Sequence, residues 1–159
     1  MESSTSDSPQ LRVATPEDEQ FLRAVYASTR AEELARVPWS DEQKRAFTDM
    51  QFAAQDADYR RHYPAAQYSI IEVQGVPVGR LYVDRCKKEI RIIDIALLPE
   101  HRRAGIGTKL LRELQSEARL AGKALNIHVE RFNPALNLYH RLGFRQIEDK
   151  GVYLFLEWH

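Results

Sequence analysis

EIRIIDIALLPEHRRAGIGTKLLRELQSEARL, residues 89–120, is the stretch on which the fold turns. Its first ten residues, Glu89 to Leu98, place apolar side chains on both faces through Ile92, Ile93, Ile95, Ala96, Leu97 and Leu98, the pattern of a central strand covered on both sides. Asp94 interrupts that run, on the face that alternation also gives to Ile90, Ile92 and Ala96. From Gly105 to Leu120, Leu110, Leu111, Leu114 and Ala118 recur at helical spacing, and Gly122 supplies the stop. The next run, Ala124 to Glu130, alternates Leu125, Ile127 and Val129 with Asn126, His128 and Glu130, which predicts a strand. The helix between these strands is then a crossover, and a crossover makes the two strands parallel neighbours.

Outward from this unit, Tyr68 to Val73, a turn at Gln74-Gly75 and Val78 to Val83 predict a hairpin. Leu11 to Ala14 is a short apolar strand. Thr15-Pro16-Glu17-Asp18 then opens a helix expected to run from Pro16 to about Thr29 and to bury Phe21, Leu22, Val25 and Tyr26. A second helix starts at Ser40-Asp41, with Phe47, Met50, Ala54 and Ala57 as its expected inner stripe. Pro134 opens a short helix through Leu142, and two strands, Phe144 to Ile147 and Val152 to Trp158, finish the chain. Strands separated by helices in this order imply an α/β fold, a mixed sheet with helices on both faces. Residues 1–10, rich in Ser and Asp, are expected to be a disordered tail, and 11–159 one domain.

Composition narrows the function. Lys and Arg number 23 against 23 Asp and Glu, so no global field draws the chain to nucleic acid or to an anionic membrane. Cys86 is the lone cysteine, which removes an intramolecular disulfide and a multi-cysteine zinc site; no clustered ligand spacing implies a metal. Met1 to Pro9 resembles neither a signal peptide nor an anchor, so a cytoplasmic setting is expected.

The chemistry is carried between strand and helix, in Leu98-Pro99-Glu100-His101-Arg102-Arg103-Ala104-Gly105-Ile106-Gly107-Thr108. Unpaired amides at a helix start bind phosphate oxygens, and glycines let a pyrophosphate approach closely. A Walker loop would need Lys before Thr, whereas here Gly107-Thr108-Lys109 has the reverse order, and a dinucleotide fingerprint would need glycine where Leu110 stands. A plain tight turn with solvated arginines is the alternative. Arg102, Gly105 and Gly107 resemble the acetyl-CoA signature of the GNAT N-acetyltransferase superfamily. A second block, Asn133-Pro134-Ala135-Leu136-Asn137-Leu138-Tyr139 through Gly143-Phe144, resembles the Asn, Ala, Leu-Tyr, Gly-Phe pattern of the same superfamily, in the correct order.

The resemblance implies a six- to seven-stranded, mainly antiparallel sheet with a parallel central pair. It also implies acetyl-CoA as donor and a primary amine of a small molecule, peptide or protein terminus as acceptor. A non-catalytic acyl-CoA sensor or assembly module of the same fold is the alternative, and either a monomer or a homodimer is compatible. Leu97, Leu98, Arg102, Arg103, Ala104, Gly105, Ile106, Gly107 and Thr108 are then the cofactor-binding positions. Asn133 and Asn137 are both candidates there, because the spacing to Tyr139 is one residue shorter than in many members. Tyr139 takes the place of the phenol that protonates the departing thiolate; otherwise it is a core aromatic beside Leu138 and Phe144.

An amine is protonated in water and must lose a proton before it attacks. Asp94, a carboxylate in an apolar strand, is the candidate base, with an ion pair to Arg80 as the competing reading and Glu72, His128 and Glu130 as alternatives. By position, Trp39, Tyr59, Arg60, Tyr63, Arg80 and His128 are candidates for the acceptor side, while His62, His101 and His140 lie in polar, solvated contexts.

Overall fold

The computed structural model describes residues 8–159. Strand β1 (Pro9–Val13) leads through a 3₁₀ turn (Pro16–Asp18) into α1 (Glu19–Leu34), followed by α2 (Asp41–His62), β2 (Gln67–Val73), β3 (Val76–Arg85) and β4 (Glu89–Leu97). A second 3₁₀ turn (Pro99–His101) precedes α3 (Ile106–Ala121), β5 (Ala124–Glu130), α4 (Leu136–Arg141), β6 (Arg145–Asp149) and β7 (Tyr153–Trp158). The seven strands form one sheet in the order β1-β2-β3-β4-β5-β7-β6, antiparallel throughout except for the parallel pair β4–β5. This is the mixed α/β architecture that the crossover implies.

Three expectations are corrected. The tail expected over 1–10 falls outside the described residues as far as Asp7, but Pro9 and Gln10, assigned to it, pair with Val73 and Glu72 as the start of β1. Helix α1 does not stop near Thr29, because the Ser28 and Thr29 hydroxyls bond back to the carbonyls of Val25 and Tyr26 and the helix runs on to Leu34. Of the expected inner stripe of α2, Phe47 is half-buried against Trp39 but the rest faces outward: Met50 is 62% exposed, and Ala54 and Ala57 lie in solvent with it. The packed side instead buries Thr48 and Phe52 and half-buries Gln51, Gln55 and Tyr59. Alanines bury little area, and the polar ends of the residues on the opposite side find partners, Gln51 in Tyr26, Gln55 in Arg80 and Tyr59 in Asp94.

Two cores result. The larger packs Leu110, Leu111, Leu114 and Ala118 of α3 and Tyr139 of α4 against Ile71, Leu81, Ile90, Ile92, Leu125 and Leu156 of the sheet. The smaller, on the opposite face, joins Leu22 and Tyr26 of α1 to Phe52 of α2 and Ile70 of β2. Arg12 ties β1 to both neighbours, bonding the carboxylates of Asp18 and Glu72.

Strand β4 contains the feature that positions the site. Tyr82 pairs with Asp94 while Val83 pairs with Ile92, so Ile93 is an extra residue, a β-bulge. One inserted residue reverses the alternation of faces. Ile90 and Ile92 before it, and Ile95 and Leu97 after it, all join the α3 core, whereas Asp94 turns to the α1/α2 face and meets Tyr59. Alternation that groups Asp94 with Ile90 and Ile92 therefore fails at the bulge. Pairing between β4 and β5 runs only from Glu89↔Ala124 to Ile92↔Ile127, and beyond it the two strands part.

Candidate active site

The opening between β4 and β5 ends at the loop before α3. Leu98, half-buried, is fixed by its amide bond to the Val78 carbonyl (2.9 Å). Arg103 and Gly105 both take left-handed φ values, 62° and 83°, and α3 begins with the bond from the Lys109 amide to the Gly105 carbonyl (3.0 Å). The amides of Ile106, Gly107 and Thr108 thus have no partner within the helix and sit at its positive end. A Cβ at Gly107 would find only Leu138 Cδ2, at 4.0 Å. Nothing among the described residues requires glycine there, and the free volume in front of the helix start is what a phosphate group needs. Arg103 and Ala104 are exposed beside it. The Arg102 side chain turns back instead, donating to the Leu97 carbonyl (3.0 Å) and to Ser28 Oγ of α1 (3.4 Å), so it braces the loop.

Across the opening, the two asparagines separate. Asn133 Oδ1 accepts the Ala135 amide (2.8 Å) and shapes the entry to α4, whereas the Asn137 side chain is exposed and makes no bond among the described residues. Tyr139 is 4% exposed, edge-on to Phe144 at 5.5 Å, and its hydroxyl has no hydrogen-bond partner among the described residues. Burial, with the charge of Asp94 adding to it, pushes this phenol above its ordinary range, so it holds its proton at neutral pH. Tyr139 belongs to the α3/α4 side and Asp94 to the α1/α2 side, near enough for the Asp94 charge to act on the phenol.

Asp94 sits in a polar cluster. Arg80, 2% exposed, donates to its Oδ1 through Nε (3.3 Å) and to its Oδ2 through Nη2 (2.9 Å), and Tyr59 donates to Oδ2 (3.0 Å). Arg80 Nη2 also donates to Gln55 Oε1 (3.0 Å). The ion pair weighed in the sequence is present, and Arg80 is spent on it. Tyr59 packs edge-on to Tyr82 at 6.1 Å, and burial and then Asp94 push its phenol strongly upward. The Arg80 guanidinium lies over the Tyr82 ring, whose hydroxyl is the one fully enclosed side-chain polar atom with no partner in hydrogen-bonding geometry among the described residues.

Other candidates scatter. Trp39 packs on Phe47 of α2 rather than on the Asp94 cluster. Arg60 stacks over Tyr68, and Glu72 is held by Arg12. His128 lies one residue past the last β4–β5 pair, stacked on Phe155 at 4.7 Å; partial burial, then Arg91 and Lys150, push its pKa down and leave it neutral at pH 7. At the end of β5, Glu130 meets Arg30 of α1 (4.0 Å) and pairs in register with Tyr153. Gln55, Tyr82, Arg30 and Tyr153 were not singled out from the sequence. Only the register of β3 against β4 would have revealed Tyr82, and nothing local marks the other three.

The Acetyltransferase (GNAT) family model matches residues 24–144, a span that includes the glycine loop, both sides of the opening and Tyr139. The chain belongs to the GNAT family. It is 28% identical over 106 residues to an N-alpha-acetyltransferase of Sulfurisphaera tokodaii, across 57% of this chain and 63% of that protein. It spans less than two thirds of the length of the curated relatives it matches. Among solved GNAT-like structures, the PaiA N-acetyltransferase of Thermoplasma acidophilum in complex with coenzyme A superposes with a TM-score of 0.70 at 17% identity, covering 94% of this chain and 98% of that one. Arabidopsis thaliana Naa50 with the bisubstrate analogue CoA-Ac-MVNAL gives 0.60 at 17% identity, covering 94% and 97%. At such identities these two likenesses establish the fold.

Proposed function

We propose that this chain is an acetyl-CoA-dependent N-acetyltransferase whose acceptor is a primary amine of a small molecule or of a peptide or protein terminus. The observation that carries the reading is the parted β4–β5 pair, with a phosphate-ready helix start at its end, a protonated phenol on one face and a carboxylate on the other. A coenzyme A complex of the T. acidophilum relative and a peptide bisubstrate complex of Naa50 support donor and acceptor of this chemistry. The free amides of Ile106, Gly107 and Thr108, with Arg103 and Ala104 beside them, hold the pyrophosphate; Leu97 and Leu98 border the donor's path and Asn137 faces it. Acetyl-CoA supplies an activated thioester. Tyr139 gives its proton to the sulfur as the C–S bond breaks, and Asp94 meets the amine from the α1/α2 side.

Tyr139→Phe tests this. It keeps the ring packing and removes the proton, so single-turnover acetyl transfer should fall by roughly 10²–10⁴ while acetyl-CoA affinity holds. Turnover at the wild-type rate would return Tyr139 to the core. Release of free CoA thiol across a panel of amines separates an enzyme from an acyl-CoA-binding module.

A further inference from the structure

Asp94 has little hydrogen-bonding capacity left. A carboxylate oxygen offers two in-plane lone pairs. Those of Oδ2 are taken by Arg80 Nη2 at 2.9 Å and Tyr59 OH at 3.0 Å, while among the described residues Oδ1 accepts only Arg80 Nε at 3.3 Å. One position, on Oδ1, remains, and the side chain is 16% exposed. The holders are themselves fixed: Arg80 is 2% exposed and bonded to Gln55 of α2, and Tyr59 is wedged edge-on against Tyr82. A proton arriving on Oδ2 would have to displace one of these donors. The acceptor position left on Oδ1 is thus where an N–H can be received, and the three bonds from Arg80 and Tyr59 fix its direction.

The geometry points to Asp94 as the group that orients the acceptor through a single N–H···Oδ1 bond, with Tyr59 and Arg80 as its positioning residues. This rests on the acetyltransferase reading above. The ammonium form of the acceptor loses its proton to water before it binds. Of the two N–H groups of the neutral amine, the one held by Asp94 is retained in the amide product, and the nitrogen lone pair is aimed at the thioester carbonyl. The C–N bond forms, the C–S bond breaks and Tyr139 protonates the sulfur. The second nitrogen proton passes through water and restores the Tyr139 phenol, so that amine and acetyl-CoA give amide and CoA thiol. The pH dependence of kcat/KM must then belong to the acceptor and not to Asp94.

The test uses phenethylamine and β,β-difluorophenethylamine, similar in shape and different in basicity, with CoA thiol release followed against pH. The acid limb should move with the acceptor's own pKa and stay where it is for each amine in Asp94→Asn and Tyr59→Phe. Amine KM should rise by about tenfold or more in Asp94→Asn and about fivefold in Tyr59→Phe, with kcat changed less than about threefold. Arg80→Lys, which keeps the charge and loses the fork, should show the same KM signature. A limb at one pH for both amines, lost in Asp94→Asn together with a fall in kcat of roughly 10²–10⁴, overturns the orienting role and makes Asp94 the base. No thiol release from these or any other primary amine overturns the acetyltransferase reading, and the role of Asp94 with it.

Discussion

Gly79→Ala is a small substitution that should deform the opening between β4 and β5 without removing any polar side chain. Gly79 pairs with Leu97 across β3–β4, and a Cβ added there would lie 2.3 Å from the Ala96 carbonyl oxygen, 2.8 Å from Leu97 Cδ2 and 3.0 Å from Leu97 Cα. Two of those contacts are backbone, so no rotamer relieves them. The end of β4 must retreat from β3 by at least about 0.7 Å to restore tolerable contacts, and overpacking of this kind costs about 1–3 kcal/mol. On its other side β4 has no strand partner beyond Ile92, so the displacement is taken up by the opening. The melting temperature should drop by about 2–12 °C for a domain of this size. Acetyl-CoA affinity, by calorimetry at a temperature where the variant is folded, should weaken by about tenfold. Wild-type affinity in a Gly79→Ala protein of lowered stability would refute the idea that the edge of β4 borders the donor. Unchanged stability would refute the steric argument itself.

Gly107→Glu should abolish acetyl-CoA binding and leave the circular dichroism spectrum unchanged, since the chain has room for the side chain but a phosphate does not tolerate its charge. Tyr82→Phe should raise the melting temperature, by about 1 kcal/mol in stability, because it removes an enclosed hydroxyl that has no partner among the described residues; a destabilised variant would mean that the hydroxyl is bonded in solution. The bond from Arg12, helped by the Thr15 amide, holds the Asp18 carboxyl down at about 2. A lowered carboxyl stabilises the fold above its unfolded pKa near 4, and that contribution fades as pH falls towards 2. Asp18→Asn should therefore cost about 1 kcal/mol at pH 7, a figure kept small because Arg12 is well exposed, and flatten the acid-unfolding curve between pH 4 and 2.

The parts of this fold that follow from local periodicity were legible. Leu110, Leu111, Leu114 and Ala118 mark one side of α3, and the crossover rule makes β4 and β5 parallel, as found. The glycine loop was legible too, because Gly105 adopts a backbone angle that disfavours other residues. What failed depended on tertiary competition. Met50, Ala54 and Ala57 have core spacing, yet α2 turns Phe52, Gln55 and Tyr59 inward because the larger area and the buried partners lie on that side. Local pattern could suggest Asp94 and Arg80 as partners but could not bring them together, since their adjacency depends on a bulge at Ile93 that leaves no trace in composition. Asn133 and Asn137 are equivalent on paper and differ in the structure, where one closes a turn onto the Ala135 amide and the other makes no side-chain bond among the described residues.

The bulge at Ile93 makes β4 a strand of two dialects. Before it, odd and even positions mean one pair of faces; after it, the same parity means the reverse. Closing the bulge with Ile93 kept in the ladder would swing the carboxylate of Asp94 into hydrocarbon beneath α3 and carry Ile95 and Leu97 out among the tyrosines, whereas deleting Ile93 would leave Ile92 and Asp94 consecutive and on the opposite faces they already occupy.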